Sequence, residues 1–410
     1  MKRRVVITGM GAVTPIGNDV TTFWDNIKNG VCGIDLITSY DATNQRVKLA
    51  AEIKGLNFLD YIPKSELRKM DLFTKYAVIA SKEAFISSGI ILDDSNSERC
   101  GIILSSGIGG IGTISQEQTR GCERGYDKVS PYFIPMSIVN IAAGTVAINH
   151  GIKGMCNCVV TACAGGTNAI GDAFRYIRDG YSEMMLCGGA EASITPLAMG
   201  GFTSLRALSE STDKKRASIP FDAKRNGFVM GEGAGMLFLE EYEHALQRNA
   251  TIYGEIIGYG VSCDAYHITA PDPTGSGACK SMLNALKDAS LSPTSIDYIN
   301  AHGTSTPLND KGETIAVKNL FGEHSYHLYM SSTKSMTGHL LGASGAIEAI
   351  ATTMALKDGF IPPTINYQVP DEECDLSIVP NAGIEKEIQY AMSNSLGFGG
   401  HNATLLFQKF

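Results

Sequence analysis

Residues 158–180 read CVVTACAGGTNAIGDAFRYIRDG. A short β-rich run, Cys158 to Val160, gives way through small residues to Ile170, Ala173, Phe174 and Ile177, which fall at helical spacing, and Gly180 offers a stop. The reading is a buried strand feeding a helix, with Cys163 at the junction. A similar passage recurs later, where the run 328–331 leads through Lys334 and His339 into a helical pattern holding Ile347, Ile350, Ala351 and Met354. Further β-rich runs at 5–7, 101–104 and 296–300 alternate with longer helical patterns. That alternation implies an α/β architecture, and its recurrence implies two pseudo-duplicated halves. The boundary is expected near the charged stretch Glu240-Glu241-Tyr242-Glu243-His244, giving halves 1–250 and 251–410.

A chain of 410 residues exceeds one compact core of ordinary size, in keeping with two parts. Its 44% hydrophobic and 19% charged content is that of a globular protein. A net charge of -8 argues against general nucleic-acid binding, which needs a clustered excess of lysine and arginine. Ten cysteines without C-x-x-C spacing read as reduced thiols of a cytoplasmic protein. Lys2-Arg3-Arg4 precedes an apolar run, but Gly9, Gly11 and Pro15 break it early, so a buried first strand is expected in place of a signal peptide. No apolar run approaches the ~18 residues of a membrane span.

Four segments carry candidate chemistry: Thr161-Ala162-Cys163-Ala164, Ala301-His302-Gly303-Thr304, Lys334-Ser335-Met336-Thr337-Gly338-His339 and Gly397-Phe398-Gly399-Gly400. A cysteine in an apolar run is ordinarily inert core, and a lone histidine is ordinarily structural. Together they suit thioester chemistry. Cys163 at a helix start meets unpaired backbone N–H groups and the positive end of the helix dipole, which predicts a lowered thiol pKa. His302 is expected to project from a strand end, and His339 to open the second helix as Cys163 opens the first. Two imidazole donors aimed at one thioester oxygen would stabilise an enolate. Lys334 would add a fixed charge, with Glu348 as its counter-ion. Gly107-Ile108-Gly109-Gly110-Ile111-Gly112 satisfies G-x-G-x-x-G, yet the second strand with a ribose-binding acid is missing, so close packing beside a pocket is expected there.

With these segments, Val5-Val6-Ile7-Thr8-Gly9-Met10-Gly11, Pro220-Phe221-Asp222 and Gly231-Glu232-Gly233-Ala234-Gly235, the chain resembles the β-ketoacyl-acyl-carrier-protein synthases end to end, most closely the bacterial type II condensing enzymes. The resemblance implies a thiolase-like fold of two halves in five layers (αβαβα), and a homodimer. It implies that Cys163 accepts an acyl group, that His302 and His339 bind the malonyl thioester carbonyl during loss of carbon dioxide, and that Lys334 supports them. The backbone N–H groups of Cys163 and Phe398 would form the oxyanion hole, with Phe398 also gating access. Thr304 and Thr306 match positions on the pantetheine arm, Ile108 matches a residue of the acyl pocket, and Gly399 joins the substrate-binding set. Leu396 and His401 stand where the family also has phenylalanine and threonine, which bears on chain length. Lys64, Arg68 and Lys69, with Lys128 and Arg206, resemble a docking patch for an acidic acyl carrier protein.

The expected reaction is decarboxylative Claisen condensation of an acyl group with malonyl-acyl carrier protein, giving a 3-oxoacyl-acyl carrier protein and carbon dioxide in fatty-acid elongation. No metal or redox cofactor is expected, since the phosphopantetheine arm arrives on the substrate. Neither nucleic acid nor membrane is an expected partner. The rivals are a biosynthetic thiolase, which needs a second reactive cysteine where this chain has only Cys374 beyond Cys279, and a chain-length-determining polyketide synthase subunit, which would lack the nucleophile.

Overall fold

The computed structural model describes residues 2–410. Ten strands form one mixed sheet in the order Tyr329–Ser331, Tyr298–Asn300, Tyr390–Gly397, His401–Gln408, Gly254–Cys263, Val5–Val13, Gly233–Glu241, Met184–Glu191, Cys100–Ser105, Cys156–Val159. The strand runs read from the sequence at 5–7, 101–104, 296–300 and 328–331 all fall on this sheet. Taken from either edge inward, and numbered along its own half of the chain, each set of five strands runs third, second, fourth, fifth, first. The senses repeat as well. In both sets the second strand pairs parallel with the third and fourth, and the fifth pairs antiparallel with the fourth and first. The first strands meet only through Val5–Ile7 against Gly254–Ile256.

Helices stack on this sheet in three layers. Leu72–Ser88, capped by the Asp71 side chain and by Gly89 at φ 68, covers the outer face of the first set through Phe73, Tyr76, Ala77 and Ala84. Ser276–Ala289 and Pro307–Phe321 cover the outer face of the second set. Gly165–Arg178 and Ser344–Asp358 lie between the two inner faces and touch strands of both sets. Ser344–Leu356 is buried all round, as its sequence SGAIEAIATTMAL dictates: small and apolar residues on every side, with Glu348 the lone charge. Helix, strand, helix, strand and helix layers therefore follow one another.

Glycines in the two first strands permit the outer contacts. A Cβ at Gly11 would lie 1.9 Å from Ala80 O, and one at Gly260 would lie 2.0 Å from Ser281 O. Only bare backbone lets helix and strand approach this closely.

One expectation is corrected. Cys156–Val159 is the edge strand of the sheet, and its Cys156 and Asn157 are exposed, as is Val160 at 52%. An apolar run alone does not distinguish a central strand from an edge covered by another surface. Among the described residues no helix is long and apolar enough to cross a membrane.

Candidate active site

The edge strand ends at Val159, and a 3₁₀ turn, Ala162–Ala164, turns the chain into the helix Gly165–Arg178. Ala162 sits at φ 49, a left-handed conformation that alanine seldom adopts. The turn is held by a short chain of hydrogen bonds: Thr161 Oγ1 donates to Asn168 Oδ1 at 2.6 Å, and Asn168 Nδ2 donates to Tyr259 Oη at 2.6 Å. Cys163 is 8% exposed and faces a cavity of about 390 Å³. Burial pushes its thiol up to about 12, Lys334 opposes that, Glu191 adds to it, and the N–H groups of Phe398 and Cys163 oppose it. The expected lowering is thus overturned. A helix N-terminus contributes about 0.3–1 kcal/mol, whereas removing an ion from water costs several kcal/mol.

From the second half come both imidazoles. His302 follows the strand Tyr298–Asn300, and the N–H groups of His302 and Gly303 donate to the Glu313 carboxylate at 2.8 and 2.9 Å. His339 donates its N–H to Val229 O at 2.7 Å, and its Nδ1 lies 2.8 Å from Ser344 Oγ. The two rings face one another at 5.3 Å between centroids and 84° between planes. Burial holds both well below the usual histidine range, and Lys334 lowers both further, so both are neutral. His339 does not open the helix Ser344–Asp358, contrary to the sequence reading. The 3₁₀ turn Leu341–Ala343 does so, with Leu341 at φ 47 where the first half has Ala162. Gly342 therefore holds the place of Cys163, and His339 lies before the turn on backbone bonds to Val229 and Gly231.

Behind the rings, Lys334 Nζ is paired with Glu348 Oε1, at side-chain exposures of 1% and 3%. Burial pushes Glu348 up to about 7, with Lys334 opposing. Neither side chain lines the cavity. On the opposite side, Gly397-Phe398-Gly399-Gly400 joins the strands Tyr390–Gly397 and His401–Gln408, with Gly399 and Gly400 at φ 85 and 75. A Cβ on Gly397 would lie 2.8 Å from Thr161 O and 3.2 Å from Cys163 N, so only glycine lets this turn lie against the cysteine. Cys163, His302, His339, Thr304, Thr306 and Phe398 share one cavity wall with Phe202, Phe228 and Leu396. The Thr304 and Thr306 hydroxyls are 2.9 Å apart.

A family model described as "Beta-ketoacyl synthase, N-terminal domain" matches residues 2–245, and one described as "Beta-ketoacyl synthase, C-terminal domain" matches 253–368. The chain belongs to the β-ketoacyl synthase family. Over 410 residues it is 51% identical to a protein of Synechocystis sp. named 3-oxoacyl-[acyl-carrier-protein] synthase 2, covering 100% of this chain and 99% of that one. A Staphylococcus aureus protein of the same name is 52% identical over 408 residues, again with 100% and 99% covered. Among solved structures, a beta-ketoacyl synthase from Burkholderia phymatum matches with TM-score 0.92 at 36% identity, and a ketosynthase solved with its type II PKS acyl-carrier protein matches with TM-score 0.92 at 34%, each with full coverage of both chains. These ketosynthases show that the layered sheet is the thiolase-like fold.

In this β-ketoacyl synthase the other candidates, Arg206 excepted, lie outside the cavity wall. Ile108 is half-buried and packs in one cluster with Cys163, Met199, Phe228 and Leu341. Gly399 is exposed and donates its N–H to Ile268 O at 2.8 Å. Arg206, exposed at φ 55, stands at the cavity rim. Lys64 opens a four-residue helix, Lys64–Leu67, with Arg68 as its C-cap, and both are exposed. Lys69 is paired with Glu66 at 2.8 Å, and Lys128 is exposed at the end of the 3₁₀ turn Tyr126–Lys128. Among the described residues no group of three or more His, Cys, Asp or Glu could hold a metal. Sequence reasoning missed Glu313, Asn168, Ser344 and Glu191, all buried polar residues. Their signal was burial without an obvious partner, which requires one to exist.

Proposed function

We propose that this chain is a 3-oxoacyl-[acyl-carrier-protein] synthase of fatty-acid elongation, joining an acyl group to malonyl-acyl carrier protein with loss of carbon dioxide. Cys163 sulfur attacks the acyl thioester carbonyl, the N–H groups of Cys163 and Phe398 hold the resulting oxyanion, and the thiol proton leaves with the carrier's pantetheine sulfur. The malonyl thioester then enters. Its carboxylate carbon–carbon bond breaks, carbon dioxide departs, and the electron pair forms an enolate whose oxygen accepts from His302 and His339. The enolate carbon attacks the acyl-cysteine carbonyl and displaces the sulfur, which takes up a proton.

One observation carries the reading: two neutral imidazoles, 5.3 Å apart, share a cavity wall with a buried cysteine. Uncharged rings donate hydrogen bonds without offering the acidic proton that would quench the carbanion. His339 Nδ1 shares a hydrogen bond with Ser344 Oγ at 2.8 Å, and the tautomer that serves the enolate is the one with its hydrogen on Nε2 and the hydroxyl donating to Nδ1. Lys334 and Glu348 support the rings from behind. Thr304 and Thr306 suit the pantetheine arm, Phe398 the gate, Ile108 the acyl chain, and Gly399 belongs with the substrate-binding set. A thiolase would need a second cysteine beside the first, but Cys374 is 2% exposed in the second-half core and outside the cavity wall. A partner subunit without a nucleophile is disfavoured by Cys163 itself.

The same proposal includes the division into 1–250 and 251–410, independence from any resident metal or cofactor, and a cytoplasmic enzyme, to which ten free cysteines are suited. It includes an acyl carrier protein docked on Lys64, Arg68, Lys69, Lys128 and Arg206. It also includes a homodimer built on the edge strand, where Ile134, Ile138, Ile148 and Val160 are 61%, 41%, 81% and 52% exposed. Sedimentation should give a dimer that Val160→Asp weakens, and a monomeric parent protein would refute the dimer. To test the reaction, the purified chain is given acyl and malonyl carrier proteins. The acyl group is sought on Cys163 by mass spectrometry and carbon dioxide is measured. Cys163→Ala should abolish both acylation and condensation, and surviving condensation would overturn the mechanism.

A further inference from the structure

We propose that Glu191 is a positioning residue that sets acyl-chain selectivity, clamping the Ser106-Gly107-Ile108 loop beside the cysteine; this rests on Cys163 being the acyl acceptor. Glu191 ends the strand Met184–Glu191, is 0% exposed, and accepts from five donors on three segments. Gly107 N–H lies at 2.6 Å, Ile108 N–H at 3.3 Å and Ser106 Oγ at 3.1 Å. Ser193 Oγ and the Gly342 N–H each lie at 3.1 Å. One carboxylate thus ties the loop carrying Ile108 to the turn that opens the other half's central helix.

The second half uses the same device. There a buried carboxylate, Glu313, holds the successive amides of His302 and Gly303, on the loop between the second strand of its half and the helix Pro307–Phe321. In the first half Glu191 holds the successive amides of Gly107 and Ile108, on the loop between Cys100–Ser105 and the helix Ile111–Arg124. One clamp fixes an imidazole, and the other fixes an apolar side chain packed in the cluster of Cys163. This also accounts for the first glycine of the run 107–112. A Cβ at Gly107 would lie 2.8 Å from Glu191 Oε2, and one at Gly342 would lie 2.4 Å from Gly107 N, so bare backbone is required around the carboxylate.

Burial raises the Glu191 pKa, while the N–H groups of Gly107 and Gly342 and the hydroxyls of Ser106 and Ser193 oppose the rise. Amides can only donate, so the ionised carboxylate satisfies them and a protonated one would not. Its charge also reaches the sulfur. Of the charged groups acting on Cys163, Lys334 favours the thiolate and Glu191 disfavours it, while His302 and His339 share the cavity uncharged.

The test uses the full-length protein, with acyl transfer from a short-chain and a long-chain acyl carrier protein to Cys163 as the readout. Acylation of the unaltered protein is established first, so a failure there is a failure of the Cys163 reading and not of the clamp. Glu191→Gln turns an amide NH₂ toward backbone donors and should change the long-to-short rate ratio about tenfold. It should also move the pH profile of Cys163 alkylation by iodoacetamide to lower pH. Ser106→Ala keeps the charge and loosens only the loop, so the ratio should change while the alkylation profile stays. A folded Glu191→Gln protein with the parent ratio, or with the parent profile, overturns the proposal. Should Glu191→Gln fail to fold, Ser106→Ala decides, and a parent ratio in that variant overturns it. A lowered melting temperature alone, with ratio and profile unmoved, marks a purely structural residue.

Discussion

Replacing Lys334 by Met should make stability depend on pH in a way the parent protein's does not. The substitution keeps the volume of the side chain and removes its charge, leaving the Glu348 carboxyl buried with no partner on either oxygen. Glu348 already stands at about 7 with Lys334 opposing the effect of burial, so without the ammonium it holds its proton to still higher pH. Below pH 7 the folded parent and the folded variant both carry this proton, and the stability difference between them is flat. Above pH 7 the folded parent releases it, the variant keeps it, and the unfolded chain has lost it in both cases from about its ordinary value of 4.5. A folded-state pKa raised above the unfolded one gives stability that is lost as pH rises, so the variant falls further behind by about 1.4 kcal/mol per pH unit. At pH 8.5 the gap has widened by about 2 kcal/mol, within the ~3–5 kcal/mol expected for breaking a buried pair. His302 and His339 add no slope to the difference, because burial keeps them neutral in the folded proteins and the two unfolded chains titrate alike. Urea unfolding at half-unit steps from pH 6 to 8.5 measures the difference directly. A constant gap across that range would show that Glu348 has the same protonation state in both folded proteins throughout and would refute the reasoning. The double variant Lys334→Met, Glu348→Gln should remove the slope.

Removing one imidazole at a time separates the two halves of the reaction. His302→Ala or His339→Ala should leave acyl transfer to Cys163 measurable while lowering carbon dioxide release about 10²–10³-fold, the usual consequence of deleting one oxyanion donor, and equal losses in both steps would count against an enolate role. At the docking patch, charge reversal by Arg68→Glu should raise KM for the carrier-protein substrate and flatten its salt dependence, with kcat little altered. Kinetics like those of the parent would remove Arg68 from the patch.

The α/β class, and the strand ahead of each of the two helix-starting segments, were legible because period and length speak locally. The helix after Cys163 buries Ile170, Ala173, Phe174 and Ile177, the positions the spacing selected, and ends at Arg178 just before Gly180. The sheet order was not legible, since the first strand pairs with Gly233–Glu241 and Gly254–Cys263, partners far away in sequence. Exposure of the strand Cys156–Val159 was misread for the same reason: a place at the edge is set by which strands pair, and a strand's own residues do not name its partners. In the site, residues with distinctive chemistry stood out, while Glu313 and Glu191 did not. Each acts by receiving backbone amides from another segment, and no sequence pattern announces which amides those are.

The placement of the proposed nucleophile in one half alone follows from packing. Both halves build the same device, a strand leading through a left-handed residue into a 3₁₀ turn and a central helix, with Ala162 and Leu341 at φ 49 and 47. At the middle of the first turn Cys163 opens onto the cavity. At the middle of the second, a Cβ on Gly342 would meet Gly107 N at 2.4 Å and Ser106 C at 2.7 Å, so no side chain fits there, let alone a thiol with its substrate. That close contact packs the second turn against the Ser106-Gly107 loop and brings the Gly342 amide to Glu191. The second half's contribution must therefore come from residues on either side of its turn, His339 before it and His302 on the neighbouring loop, both long enough to reach the cavity that Cys163 lines. A fold repeated twice thus leaves one turn free to carry the proposed acyl acceptor, because the Ser106-Gly107 loop fills the space that a side chain at Gly342 would need.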